Sequence, residues 1–366
     1  MAKTKMQALL DAGQSVWLDY LRRGMTRSGE LSALIDKGLR GMTSNPTIFE
    51  QALSSTDYDD ELAELSASAK NEREIFEALA IEDVQEAADR FRGVYDSTGG
   101  ADGFVSLEVS PGLARDTAGT MAEARRLWKA LDRPNVMIKI PGTREGWPAI
   151  EGCLREGINI NITLLFSVEH YRQVAEAYLR ALESRLQQRQ PIDRLASVAS
   201  FFVSRVDTEV DKRLQAAGTG LDLRGTVAVA GARLAYGLYL ELIASERWKK
   251  LAAAGARTQR LLWASTGTKN RAYSDVLYVE SLIGPDTIST VPVETLELFE
   301  DHGKVSTVLG AASGAEGRKV MDALAAAGID FEDVNTTLER EGIDKFVKSF
   351  DSLLGVIAQK RRALAR

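Results

Sequence analysis

The chain has 366 residues, of which 45% are hydrophobic and 27% charged, and it carries a net charge of −6. This is an ordinary globular balance with ample material for a large core; the negative charge, without any long Lys/Arg run, excludes the electrostatic footprint of a nucleic-acid binder. A single cysteine, Cys153, excludes an intrachain disulfide, and the two histidines, His170 and His302, lie too far apart in sequence for metal-ligand spacing.

Cys153 reads as a small buried hydrophobe. Neither a metal nor another cofactor is expected. The first ten residues lack the apolar region and cleavage site of a signal peptide. No membrane span is expected, because Arg233 and Glu241 interrupt the apolar region after Thr226. The expected location is cytoplasmic.

In chain order, the first candidate strand is SVWLDYL around Asp19 and the second GMTSNP around Asn45. Residues 46 to 104 then carry two or three helices. Candidate strands follow at VSLEVSP around Glu108, NVMIKIPGT around Lys139 and NINITLLFS around Thr163. A helix is expected from Val168 to Leu182, where Tyr171, Val174, Tyr178 and Ala181 recur at helical spacing, with Ser167 as its N-cap and Glu169 in its first turn. The last three candidates are SVASFFVS around Ser200, RLLWAST around Ser265 and ISTVPVET around Val291. Eight strands alternating with helices predict a closed parallel α/β barrel, the (β/α)8 TIM barrel, over about residues 10–310. A helical C-terminal extension over about 311–366 completes a single domain. In it Phe331, Val334, Leu338, Phe346, Phe350, Leu353 and Ile357 keep a helical period, so the tail packs on something.

Strand parity singles out the candidate site. Successive strand residues face opposite sides. Val136, Ile138 and Ile140 oppose Met137 and Lys139; Val105, Leu107 and Val109 oppose Ser106, Glu108 and Ser110. Ile160 and Ile162 oppose Asn159, Asn161 and Thr163, while Val16 and Leu18 oppose Trp17 and Asp19. Alone, a strand lysine is usually an edge residue, and Asn45 before Pro46 a turn residue. Four parallel strands exposing one face to water is a rare arrangement, however. The polar faces therefore point into the barrel, and their ionisable residues fall toward the strands' C-terminal ends, where barrel active sites are built.

A lysine among apolar neighbours is expected to release its proton readily and attack a ketone carbonyl as a free amine. Glu108 and Thr163 can hold a water for the proton relay of imine formation, and Asp19 can take the proton whose loss breaks a carbon–carbon bond. Asn45, Asn161 and Ser200 suit the hydroxyls of a ketol fragment. Arg205, just past the sixth strand, suits a phosphate, as does the loop STGTKN, Ser265 to Asn270, with Gly267 and Lys269.

The segments GMTSNPTIFEQAL, VSLEVSP, VMIKIPGT, INITLLFS and ASFFVSRVDTEVD closely resemble the signature regions of transaldolases, in the right order over nearly the whole chain. The likeness is greatest to the longer bacterial forms with a helical C-terminal extension. It implies transfer of a dihydroxyacetone unit from sedoheptulose 7-phosphate to glyceraldehyde 3-phosphate, giving erythrose 4-phosphate and fructose 6-phosphate, in the non-oxidative pentose phosphate pathway. It also implies Lys139 as the Schiff-base lysine, Asp19 as the acid/base at bond cleavage, and Glu108 and Thr163 as holders of the catalytic water. Asn45, Asn161 and Ser200 match substrate-hydroxyl contacts and Arg205 a phosphate ligand. Where shorter transaldolases carry an arginine in the phosphate loop, this chain has Ser-Thr-Gly-Thr-Lys, so that Ser265 and Lys269 take that place. The expected partners are these sugar phosphates, in a monomer or homodimer, with no nucleic acid or membrane. Three other readings remain at this point: a lyase releasing free dihydroxyacetone, a non-catalytic sugar-phosphate sensor, and a scaffold that binds protein through its C-terminal helices.

Overall fold

The structure, a computed structural model, describes residues 3–68 and 70–364. Eight parallel strands close into a barrel in chain order. They are β1 (Gln14–Asp19), β2 (Leu39–Thr43), β3 (Phe104–Glu108), β4 (Val136–Pro141), β5 (Ile160–Leu165), β6 (Ser197–Phe202), β7 (Arg260–Ala264) and β8 (Thr287–Val291). The strands stop where local chemistry stops them. β2 ends at Thr43, because Asn45 and Pro46 begin a helix, and β8 ends before Pro292, which has no amide hydrogen for a ladder. The helix expected from Val168 runs on to Gln187, with the Ser167 hydroxyl accepting from the amides of Glu169 and His170.

The apolar parity of each strand faces the surrounding helices. Val16, Leu18, Val105, Ile138, Ile140, Ile160 and Ile162 are fully buried there. The opposite parity fills the barrel. Trp17 occupies its middle, donating from Nε1 to Asp102 at 2.9 Å and lying 6.3 Å from the Phe104 ring. Gly41 on the adjoining strand makes this possible: a Cβ there would lie 2.6 Å from two Trp17 ring atoms and 2.8 Å from the Phe104 carbonyl. Trp17 and Phe104 thus fill part of the lower barrel, where a hollow of about 240 Å³ remains beside Phe104, Met137 and Val198, and a separate cavity lies in the polar upper half.

Between β2 and β3 run the helices Pro46–Leu53, Asp59–Ala67 and Glu72–Ser97. The tail comprises the helices Ser313–Ala326 and Phe331–Leu364. The first packs on the helix Val227–Ala244 so closely that a Cβ on Gly237 would touch Gly314 Cα at 2.8 Å. One sequence expectation is corrected here. Val227–Ala244 is long and apolar enough to cross a membrane, since Arg233 and Glu241 are only two charges in it, but half of it is buried inside the protein. Its apolarity is explained by helix packing.

The long tail helix Phe331–Leu364 lies across the mouth of the barrel. It buries Val334, Leu338, Phe346, Phe350, Leu353 and Ile357 and partly buries Phe331. Ser349 Oγ meets Thr47 Oγ1 at 2.9 Å, Lys360 pairs with Asp59 at 2.7 Å, and Arg213 pairs with Asp333 at 2.6 Å. The helical period in the tail therefore records the packing of a strap over the barrel's C-terminal face.

Candidate active site

Strand register brings the polar residues together. Glu108 on β3 is level with Lys139 on β4, Lys139 with Asn161 on β5, and Pro141 with Thr163. Asp19 on β1 is level with Thr43 on β2. All these side chains share the inward parity. Above them lies a cavity of about 270 Å³, lined by Asp19, Asn45, Lys139, Thr163, Ser200, Arg205, Ser265 and Lys269 among others.

At its floor the Lys139 Nζ lies 3.4 Å from Glu108 Oε2, and the two side chains are only 6% and 3% exposed. Nζ also donates to the Ser44 carbonyl at 3.1 Å. Burial pushes the Glu108 carboxyl above the usual glutamate range, Lys139 and Arg205 pull it down, and the nearby Asp19 charge adds to the rise. Burial wins because a carboxylate with water removed loses more than one ion pair at this separation returns. Both Glu108 oxygens and Thr163 Oγ1 are buried without a hydrogen-bond partner among the described residues. Their position beside Lys139 leaves these atoms available to a small polar ligand of the site.

The remaining residues divide by depth. Asp19 accepts from Thr43 Oγ1 at 2.9 Å. Ser200 donates to Asn161 Oδ1 at 2.7 Å, and Asn161 Nδ2 donates to Ser106 Oγ at 3.1 Å. Asn161 is fully buried and does not line the cavity; it fixes Ser200, which does. Glu108 likewise lines a smaller neighbouring space behind Lys139, walled by Phe49, Phe76 and Phe350. Asn45 lines the cavity, but its Oδ1 is committed to capping the helix Pro46–Leu53 through the Ile48 amide at 3.0 Å. Its amide NH2 and the second lone pair of Oδ1 are left for a ligand, with the cap fixing the orientation of the side chain.

Around the rim, Arg205 stacks between Phe202 and Phe346, with its guanidinium carbon 5.4 and 5.8 Å from the two ring centroids. Burial lowers its pKa, against the pull of Asp19 and Glu108. Ser265 has φ +58°, and its hydroxyl meets Ser204 Oγ at 2.9 Å. Leu164, directly after Thr163, also has φ +58° at a break in the β5–β6 register. Left-handed backbone at non-glycine residues carries strain; Ser265 lines the cavity, whereas Leu164 lies within β5 and packs against Gly342 of the tail helix. No group of three or more His, Cys, Asp or Glu side chains is arranged to hold a metal among the described residues.

The sequence reading missed Thr43, Gln51, Phe202, Lys345 and Phe346, which also line the cavity. Parity offered a signal for Thr43 and Phe202, each level with or two residues from an assigned residue. Nothing local marked the tail residues, because only the tertiary fold lays them over the mouth.

Comparison with known proteins gives a consistent picture. The family model described as transaldolase/fructose-6-phosphate aldolase matches residues 16–357. A protein named transaldolase from Saccharopolyspora erythraea is 51% identical over 359 residues, covering 98% of each chain. Another of that name from Thermobifida fusca is 50% identical over 364 residues, again covering 98% of each. A third, from Acidothermus cellulolyticus, is 48% identical over 351 residues, covering 95% of this chain and 94% of its own.

Proposed function

The chain belongs to the transaldolase/fructose-6-phosphate aldolase family, and from that premise we propose how its own side chains carry the transfer of a dihydroxyacetone unit from a ketose phosphate to an aldose phosphate. The donor and acceptor expected are sedoheptulose 7-phosphate and glyceraldehyde 3-phosphate, and the products erythrose 4-phosphate and fructose 6-phosphate. The observation that carries the reading is the nearly solvent-free pairing of Lys139 with Glu108 at the floor of a cavity whose rim is cationic.

Lys139, as the free amine, attacks the ketone carbon and forms a carbinolamine. Glu108, with its carboxyl inclined to hold a proton, donates it to the departing hydroxyl, so that water leaves and the iminium forms. Asp19 takes the proton of the hydroxyl beyond the next carbon. The carbon–carbon bond breaks, its electron pair passes into the iminium, and the aldose phosphate departs. The same steps run backwards on the acceptor aldose, with Asp19 returning its proton to the new alkoxide. Water held between Glu108 and Thr163 then hydrolyses the imine, Glu108 taking one proton, and Lys139 is released. Ser200 and the Asn45 amide suit the ketol hydroxyls, Asn161 orients Ser200, and Arg205, Ser265 and Lys269 suit the phosphate.

Borohydride added with fructose 6-phosphate is expected to leave a three-carbon adduct on Lys139, located by peptide mass mapping. An adduct on another lysine, or none, overturns the assignment. A coupled assay with and without erythrose 4-phosphate separates transfer from simple release of dihydroxyacetone; transfer should dominate.

A further inference from the structure

The covered stripe of the tail helix includes, besides its large apolar residues, the buried Asn335, Gly342 and Ile343. Between Leu338 and Phe346 the turn facing the barrel holds Gly342, and Lys345 lies on the flank of the same stripe. Both positions abut the cavity. A Cβ on Gly342 would lie 3.0 Å from Leu164 Cδ2 and 3.6 Å from Arg205 Nη1, so the helix backbone comes almost onto the guanidinium. Phe346, the next residue of the stripe, forms one face of the stack around Arg205. Lys345 itself lines the cavity together with Arg205 and Lys269.

We propose that Lys345 is a third cation of the phosphate-binding end of this cavity, so that the C-terminal helix supplies a substrate ligand as well as packing. The proposal rests on reading the cavity as a sugar-phosphate site.

The charge arrangement supports it. Elsewhere the protein pairs its arginines freely with acids, as Arg247 does with Glu176 and Glu183 and Arg27 with Glu61, Glu82 and Glu86. Arg205, Lys269 and Lys345 form no ion pair or hydrogen bond among the described residues. Acids were available: Lys345 also borders an outer groove with Glu50, Glu341 and Asp344, yet pairs with none of them. Partial burial together with the charges of Arg205 and Lys269 holds the Lys345 ammonium below the usual lysine range. Like charges left unpaired around one hollow repel one another until an anion enters, and the same proximity then becomes attraction. A phosphate monoester dianion matches this set, with the Arg205 fork for two oxygens and two rim ammoniums as mobile point charges for the rest.

The test compares Lys345→Gln and Lys345→Arg with Arg205→Ala as positive control and Lys348→Gln as control on the outer groove. Three quantities are read: the inhibition constant of inorganic phosphate, kcat/KM for fructose 6-phosphate against fructose, and the rise in melting temperature that inorganic phosphate produces. Lys345→Gln is expected to weaken phosphate inhibition roughly tenfold, the lower end for a charged hydrogen bond because the residue is exposed at the rim. It should lose correspondingly more on fructose 6-phosphate than on fructose and shrink the phosphate-induced melting shift, while Lys345→Arg restores most of each. Unchanged phosphate inhibition in Lys345→Gln, with Arg205→Ala impaired, overturns the role of Lys345 and leaves the site reading intact. Equal losses on both substrates with a lowered melting temperature make Lys345 structural and also overturn it. If Arg205→Ala fails to discriminate the substrates too, the reading of this end of the cavity falls, and the proposal with it.

Discussion

Replacing Glu108 by Gln keeps the shape of the side chain and removes its charge and its proton. At 3.4 Å and an effective permittivity of about 20, the attraction between Lys139 and Glu108 is roughly 5 kcal/mol. Desolvation of the carboxylate opposes it and prevails, since the Glu108 carboxyl is raised and not lowered. In the ion-paired form the substitution therefore relieves one buried anion but leaves a buried ammonium without its partner, and in the form that reacts, with the proton on Glu108 and Lys139 the free amine, it removes the proton donor. Breaking such a pair typically costs about 3–5 kcal/mol, and the relief offsets part of that. The fold should survive with a modest loss in urea unfolding. The rate should not. With the relay proton gone, imine formation and hydrolysis are expected to slow by roughly 10²- to 10⁴-fold. The assay is single-turnover mixing with fructose 6-phosphate, quenched by borohydride at successive times, counting adduct on Lys139. Asp19→Asn provides the contrast: its adduct should still accumulate while transfer to erythrose 4-phosphate fails, because its proton is removed only after the imine exists. Adduct formation at the wild-type rate in Glu108→Gln would refute the relay.

Two further outcomes concern the scaffold. Asp207, which accepts from the Ala228 amide at 2.8 Å and from Tyr278 at 2.9 Å, is pushed by burial from 3.8 to about 6. The folded state thus holds this proton more tightly than the unfolded state. Its contribution is fully present below 3.8 and is lost as pH rises through about 6. Asp207→Asn should flatten that slope by an amount on the order of 3 kcal/mol across the window, read from urea unfolding at pH 4 to 7; an unchanged slope would refute the shift. Gly41→Ala would place a methyl against Trp17 and the Phe104 carbonyl and should lower stability by about 1–3 kcal/mol. Unaltered stability there would mean the barrel interior is looser than the packing around Trp17 indicates.

The barrel was legible because its strands carry two incompatible faces. Ile138 and Ile140 need helices over them, and Lys139 between them needs the opposite environment; parity alone then points Lys139, Glu108, Asp19 and Thr163 into one interior. What parity cannot give is depth and commitment. Asn161 and Ser200 have the same inward sense, but only Ser200 lines the cavity, because Asn161 is held beneath it by Ser106. Asn45 lines the cavity at the end of β2, yet its Oδ1 also caps a helix. The contribution of the tail was beyond a period-based reading for a different reason. Helical spacing tells that Phe346 and Phe350 are covered and says nothing of what covers them.

The cavity has a polarity that follows from this layering. Carboxylates and the amine lie deep, where Glu108 and Lys139 are screened from water and from salt, while the cations that no acid neutralises lie at the rim. In the proposed reaction a ketose phosphate entering this field would have one favourable orientation, with its dianion at Arg205 and Lys269 and its carbonyl toward Lys139. A reversed substrate would bring its phosphate toward Asp19 and away from the rim cations, where the like charge of the carboxylate repels it. The rim therefore does more than add affinity. On the proposed reading it selects the end of the sugar that meets the amine, and the same rule would orient an aldose phosphate acceptor with its aldehyde toward the three-carbon unit. Substrates without phosphate lack this guide, so their losses should appear mainly as a lower fraction of productive encounters. Removing rim charge should then narrow the gap between fructose 6-phosphate and fructose from the phosphorylated side. A rim variant that lowers kcat/KM for fructose as much as for fructose 6-phosphate would show that orientation is set elsewhere in the cavity.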